Sequence, residues 1–331
     1  MPESNSSTIL EGSFVPRRGL RGAQRQTILG TLLPRPPLPP GEERVVRVDA
    51  RAQLLLRCHW QPERQRALTL LMVHGLEGSS QSPYVLGVGH KALAAGFNLV
   101  RMNVRNCGGT AHLSQTLYHS GLSRDVQQVA GALIKEDKLP RLALVGYSMG
   151  GNMVLKALGE WSREAPHELV AAAVVCPSMD LAPGAALLER GTNRLYQWYF
   201  LRSLKRSYRE KARLFPEVFQ SAGKLGGLHT IRQFDDAITA PAMGFRDAAD
   251  YYERASSSRV LERIAVPTLV VHALDDPFVP LLPATRARLE ANPHITLIAT
   301  QHGGHCAFLA PADGYDGRWA ERRLVEFLKR F

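Results

Sequence analysis

An alternation of two sequence patterns constrains this chain more than any other feature. Short apolar runs that read as strands (Leu68–Val73, Phe97–Val104, Leu142–Val145 and Leu169–Cys176) are separated by helix-like segments at Tyr84–Ala95, Gly121–Lys135 and Gly150–Glu160. Continuous apolar runs mark strands buried on both faces. A strand–helix–strand rhythm builds a mostly parallel sheet with helices on both of those faces. Upstream, Arg44–Asp49 and Gln53–Trp60 read as paired strands. From about 183 to 258 the rhythm stops and the chain reads as irregular, aromatic and basic. It resumes with a strand at Val266–Ala273, a helix at Pro283–Ala291, a strand at Ile295–Thr300 and an amphipathic helix at Trp319–Phe331. The pattern predicts one domain over 43–331, interrupted by an inserted cap at about 183–258. An arm over 1–42 precedes it, where five prolines between Pro34 and Pro40 exclude helix and central strand locally.

At the junction of Leu142–Val145 with Gly150–Glu160 lies Gly146-Tyr147-Ser148-Met149-Gly150. A Gly-x-Ser-x-Gly turn between a strand and a helix lifts its serine above the sheet edge, at a helix N-terminus that favours negative charge. Ser148 is therefore the candidate nucleophile. A serine hydroxyl needs a base to take its proton and an acid to orient that base, which in such folds follow in the order Ser, Asp or Glu, His. His305 comes directly after the last strand, in a Gly303-Gly304 loop able to fold back, and is preferred to His302 in the same loop. The acid belongs after Val266–Ala273, where Asp275 and Asp276 stand side by side; Asp276 is favoured because it opens an Asp-x-x-Val-Pro sequence, with Asp275 left open. Two backbone N–H groups, of Leu76 in the loop after Leu68–Val73 and of Met149 after the nucleophile, are the candidate oxyanion donors. His74 in the same loop reads as shaping it, since no second metal ligand stands at a useful spacing.

The chain has 331 residues and a net charge of +11, with 45% hydrophobic residues, enough for a large core. The charge is concentrated: Arg190 to Arg213 holds eight basic residues and one acid, Glu210. No nucleic-acid motif accompanies it, so the expectation is no nucleic-acid partner, leaving a solvated helix face or peripheral contact with a membrane. Leu195, Tyr196, Trp198, Tyr199, Phe200 and Leu201 sit beside it, either lining an acyl pocket or packing the cap on the core. The four cysteines make no CxxC pair, and Cys107 is only a possible reactive thiol. Asp235 and Asp236 read as structural hydrogen-bonding groups rather than a catalytic pair. The first residues lack the pattern of a signal peptide and no apolar run is long enough to span a bilayer, so a cytoplasmic location is expected.

Five segments, 74–80 (HGLEGSS), 103–110 (NVRNCGGT), 146–156 (GYSMGGNMVLK), 230–256 and 274–280 (LDDPFVP), resemble the YheT-like branch of the α/β-hydrolases, which also holds the eukaryotic ABHD1, ABHD2 and ABHD3 proteins. The resemblance runs from about Gln26 to the C-terminus, and 230–256 is its most specific part. It implies an α/β-hydrolase fold, hydrolysis of carboxylic or acyl-lipid esters through a Ser148–Asp276–His305 triad, and no cofactor or metal. Other readings are a thioesterase or amidase on the same fold, and a lipid-binding protein that lacks catalysis.

Overall fold

The computed structural model describes residues 14–219 and 225–331. Residues 1–13, which carry the signal-peptide argument, and 220–224, within the inserted segment, lie outside the described residues.

Eight strands form one sheet. β1 (Glu42–Asp49) and β2 (Ala52–His59) make a hairpin, and β3 (Thr69–Val73), β4 (Asn98–Met102), β5 (Leu142–Tyr147), β6 (Leu169–Val175), β7 (Thr268–Ala273) and β8 (Ile295–Thr300) complete it. The order is β1-β2-β4-β3-β5-β6-β7-β8. β2 runs antiparallel to both neighbours and every other pairing is parallel. β3, β4, β5 and β7 are buried along their whole length, as their apolar runs require.

Successive strand residues feed opposite faces. Leu71, Val73, Leu142 and Leu144 join one core with Val129 of α3 (Ser123–Lys135), Val154 and Leu158 of α4 (Met149–Trp161), and Leu289 of the helix Pro283–Ala291. Leu70, Met72, Ala143 and Val145 join the other with Val88 of α2 (Pro83–Ala94) and Leu324 and Phe327 of the helix Trp319–Leu328. Both faces of the sheet are thus covered, as a parallel sheet demands.

One element adds to the expected set, and one expectation needs correction. The arm contains a helix, α1 (Ala23–Leu32), which ends just before the proline cluster. The prolines forbid helix only where they stand, and Gln26 and Thr27 are buried against the domain. The described residues of the segment from 183 to 258 are mostly helical rather than irregular. The segment contains α5 (Leu181–Leu188), the 21-residue α6 (Arg194–Leu214), α7 (Ile231–Phe234) leading through a π-turn into α8 (Ala240–Ala242), and α9 (Ala248–Ala255). Its basic residues hide the helical period of α6, whose inner face nevertheless buries Gln197, Leu201, Tyr208 and Lys211 at helical spacing.

Candidate active site

β5 passes into α4 through Ser148, which is held at φ 53° and ψ −119°. A non-glycine residue there is strained and is kept by tight surroundings. Glycine is required on both sides of it. A Cβ on Gly146 would lie 2.6 Å from the Gly150 carbonyl oxygen, and one on Gly150 would lie 2.3 Å from that of Val73. The Ser148 N–H donates to Val175 O of β6 at 3.0 Å, which fixes the turn against the sheet.

The loop after β8 returns to this turn. His305 Nε2 lies 2.9 Å from Ser148 Oγ, and His305 Nδ1 lies 2.7 Å from Asp276 Oδ2. The other Asp276 oxygen accepts the N–H groups of Phe278 (3.1 Å) and Val279 (2.9 Å). Asp275 turns the other way and accepts the Gly304 N–H at 2.9 Å. His302 reaches only Asp275, at 3.4 Å. Burial alone would raise the Asp276 carboxyl, but the charge and hydrogen bond of His305 outweigh it and hold the pKa below the usual value. Burial likewise opposes a charged His305, yet Asp276 and then Cys306 raise it well above the ordinary histidine value.

Leu76 and Met149 line one cavity with Ser148. On either side of Leu76 the backbone donors are taken: Gly75 N–H by Tyr84 Oη at 2.8 Å and Glu77 N–H by Tyr118 Oη at 3.3 Å. His74 is fully buried, its Nε2 accepting the Val104 N–H at 3.1 Å and its Nδ1 lying 2.8 Å from Gly75 O. That pairing puts the proton on Nδ1, and burial lowers the pKa to about 4, so His74 is a neutral brace.

The cavity measures about 820 Å3, its open mouth included. Ser148 and Met149 form its floor, while Leu181, Leu188, Phe200, Leu204 and Ile231, from helices between β6 and β7, form an apolar wall. Asp235 also reaches it and accepts a hydrogen bond from Tyr252 Oη at 2.7 Å, whereas Asp236 caps the Ala248 N–H at 2.7 Å. Cys107 is buried and its thiol is pushed well up by desolvation, the opposite of a reactive cysteine.

Among the described residues, one group has metal-ligand chemistry at close range: Cys176, His305 and Cys306, with ligand atoms within 4.8 Å of one another. Both ring nitrogens of His305 already face Ser148 and Asp276, which leaves the two thiols without a third free ligand. Burial would raise the Cys306 thiol, but Cys176 and His305 pull it down to about 6.

Two residues of α1 escaped the sequence reading. Thr27 Oγ1 accepts the backbone N–H of His305 itself at 2.9 Å. Gln26, wholly buried, accepts the Leu309 N–H at 2.7 Å and donates to Leu309 O at 3.2 Å. The one signal for them is that the resemblance begins at Gln26, ahead of the prolines that mark off the arm.

Comparison with known proteins agrees with this architecture. Residues 69–311 match the family model described as the alpha/beta hydrolase fold. The Escherichia coli protein named "Putative esterase YheT" is 33% identical over 96% of this chain and 93% of its own length. A Saccharomyces cerevisiae monoacylglycerol lipase is 30% identical over 79% of this chain, and the mouse phospholipase ABHD3 is 30% identical over 73%. The matched regions cover only 59% and 58% of those two proteins. Among solved structures, an esterase of Pyrococcus furiosus superposes with a TM-score of 0.58 at 16% identity, over 88% of this chain and 92% of that one, which speaks to fold alone. By family model and by its full-length relative, the chain belongs to the α/β-hydrolase family, in its YheT-like branch.

Proposed function

We propose that this protein is a serine hydrolase that cleaves carboxylic esters of acyl or lipid substrates through an acyl-enzyme. The observation that carries the reading is the His305 ring, which bridges Ser148 Oγ at 2.9 Å and Asp276 Oδ2 at 2.7 Å. In the neutral ring the Nδ1–H donates to Asp276, so Nε2 presents its lone pair to the Ser148 hydroxyl. Ser148 attacks the ester carbonyl as His305 takes its proton. Asp276 holds the tautomer and stabilises the imidazolium. The Leu76 and Met149 N–H groups stabilise the tetrahedral oxyanion. His305 then protonates the leaving alcohol, and water releases the acid by the same steps in reverse.

Residues 43–331 act in this reading as one hydrolase domain. The segment 183–258 is a cap whose apolar wall receives the acyl chain, and 1–42 is an arm. The ester and lipid vocabulary of the relatives supports the substrate class. The test is Ser148→Ala: turnover of p-nitrophenyl esters falls to background while circular dichroism and Tm stay at wild-type values. Undiminished turnover by a clean preparation of the variant would refute the assignment.

A further inference from the structure

The inner face of α6 carries Phe200 and Leu204 into the cavity, so this helix roofs the candidate site. Its outer face is the unusual one. Leu195 is 72% exposed, Trp198 60% and Tyr199 58%, at the i, i+3, i+4 spacing that makes one patch on a helix. Arg194 and Arg202 flank the patch and are exposed, and the Arg202 guanidinium lies over the Trp198 ring, 5.5 Å from its centroid. Arg206 and Arg209 continue the same exposed stripe, and Glu210 is the one acid in the helix. α1 abuts the start of α6, where Gln24 donates to Asn193 at 3.0 Å. α1 carries an exposed stripe of matching kind: Arg25, Ile28 and Leu32.

An indole, a phenol and a leucine left in water are costly unless something apolar covers them, and the arginines around them ask for negative charge. We propose that the outer face of α6 docks on an anionic lipid bilayer. Trp198 and Tyr199 sit at the headgroup level with Leu195 in the acyl boundary, and Arg194, Arg202, Arg206 and Arg209 meet lipid phosphates. The charge complementarity favours this occupant: an interfacial helix joins one apolar patch to a cationic stripe, and a bilayer surface offers both partners within a few ångströms. The helix lies in the interface and does not cross it; no described helix is long and apolar enough to do so. Docking in this way turns the roof of the cavity toward the membrane. The surface stands on exposure and charge alone and does not depend on the chemistry assigned to Ser148.

The test is co-sedimentation of the full chain with vesicles of phosphatidylcholine alone and of phosphatidylcholine mixed with phosphatidylglycerol. The wild type should pellet with the mixed vesicles and be released as salt is raised to about 0.5 M. The triple variant Leu195→Ser, Trp198→Ser, Tyr199→Ser should lose binding at least about tenfold, and Arg202→Glu with Arg206→Glu should lose at least about fivefold per arginine. Both variants should turn over a short soluble ester as the wild type does, which separates docking from catalysis. Three outcomes would overturn the proposal: no pelleting of the wild type with mixed vesicles, equal pelleting of the triple variant, or a self-associated wild type that the triple substitution converts to monomer in the absence of lipid.

Discussion

Asp275 and Asp276 are consecutive residues whose carboxylates divide one loop between them: Asp276 faces the His305 ring at 2.7 Å, while Asp275 holds the Gly304 N–H at 2.9 Å. The two are therefore not interchangeable. Asp276→Asn keeps the shape but presents an amide to Nδ1, favouring the tautomer that points a proton at Ser148. It should lower kcat by about 10⁴-fold. Asp275→Asn loosens a single backbone contact and should cost about tenfold or less, the scale of one hydrogen bond. Steady-state kinetics on both variants decides it; a larger loss for Asp275→Asn would exchange the roles.

The pH profile should carry the mark of Cys306. A general base must be neutral, so activity falls as the pH drops through the His305 pKa. Against the opposing effect of burial, Asp276 and then Cys306 hold that pKa well above 6.5. The acidic limb of kcat/KM is accordingly expected on the alkaline side of an ordinary histidine. Cys306→Ser removes a thiol whose own pKa is drawn down to about 6 and leaves Asp276 in place. The midpoint should move to lower pH, with kcat at the alkaline plateau little changed. A midpoint that stays put would show that the thiol carries no charge beside His305.

What the sequence disclosed, and what it hid, follow from range. The parallel strands were legible because full burial forces uninterrupted apolar runs, as in Leu142–Tyr147 and Thr268–Ala273. The turn at Ser148 was legible because close approach admits only glycine at 146 and 150. α6 was obscured because its exposed face holds both arginines and large apolar residues, which blurs the period that its buried face keeps. The contact from Thr27 to His305 spans 278 residues of chain, and no local pattern encodes it. The orientation of Asp275 against Asp276 depends likewise on where the 303–305 loop returns.

The α1 contacts predict that the arm matters to catalysis through the position of His305. Thr27→Val keeps the volume but leaves the His305 N–H without its acceptor, a loss of about 1–3 kcal/mol. Part of that should appear as a lower kcat and slower fluorophosphonate labelling of Ser148, with KM nearly unchanged. Thr27→Ser retains the hydroxyl and should restore both. Gln26→Leu, which strands the Leu309 N–H and leaves the Leu309 C=O to the Arg17 N–H alone, should lower Tm as well. If Thr27→Val reduces Tm yet labels Ser148 at the wild-type rate, α1 is a brace for the fold and has no influence on the histidine.

Asp235 offers a prediction about stability. Its carboxyl is buried and desolvation, only partly offset by hydrogen bonds from Tyr252 and Thr239, raises its pKa from 3.8 to about 6. The folded state therefore binds a proton that the unfolded chain has already released between those values. A raised carboxyl pKa disfavours the ionised form in the fold: its penalty is absent below about pH 4, grows as the pH rises toward 6, and is constant above. Asp235→Asn keeps an acceptor for the Tyr252 hydroxyl and carries no charge, so at neutral pH it should be stabilising by up to about 3 kcal/mol. Thermal melts across pH check this. The variant should exceed the wild type in Tm at pH 7, and the gap should close in the acid range. A variant that melts lower than the wild type at pH 7 would mean that the hydrogen bonds of the ionised carboxylate outweigh its desolvation.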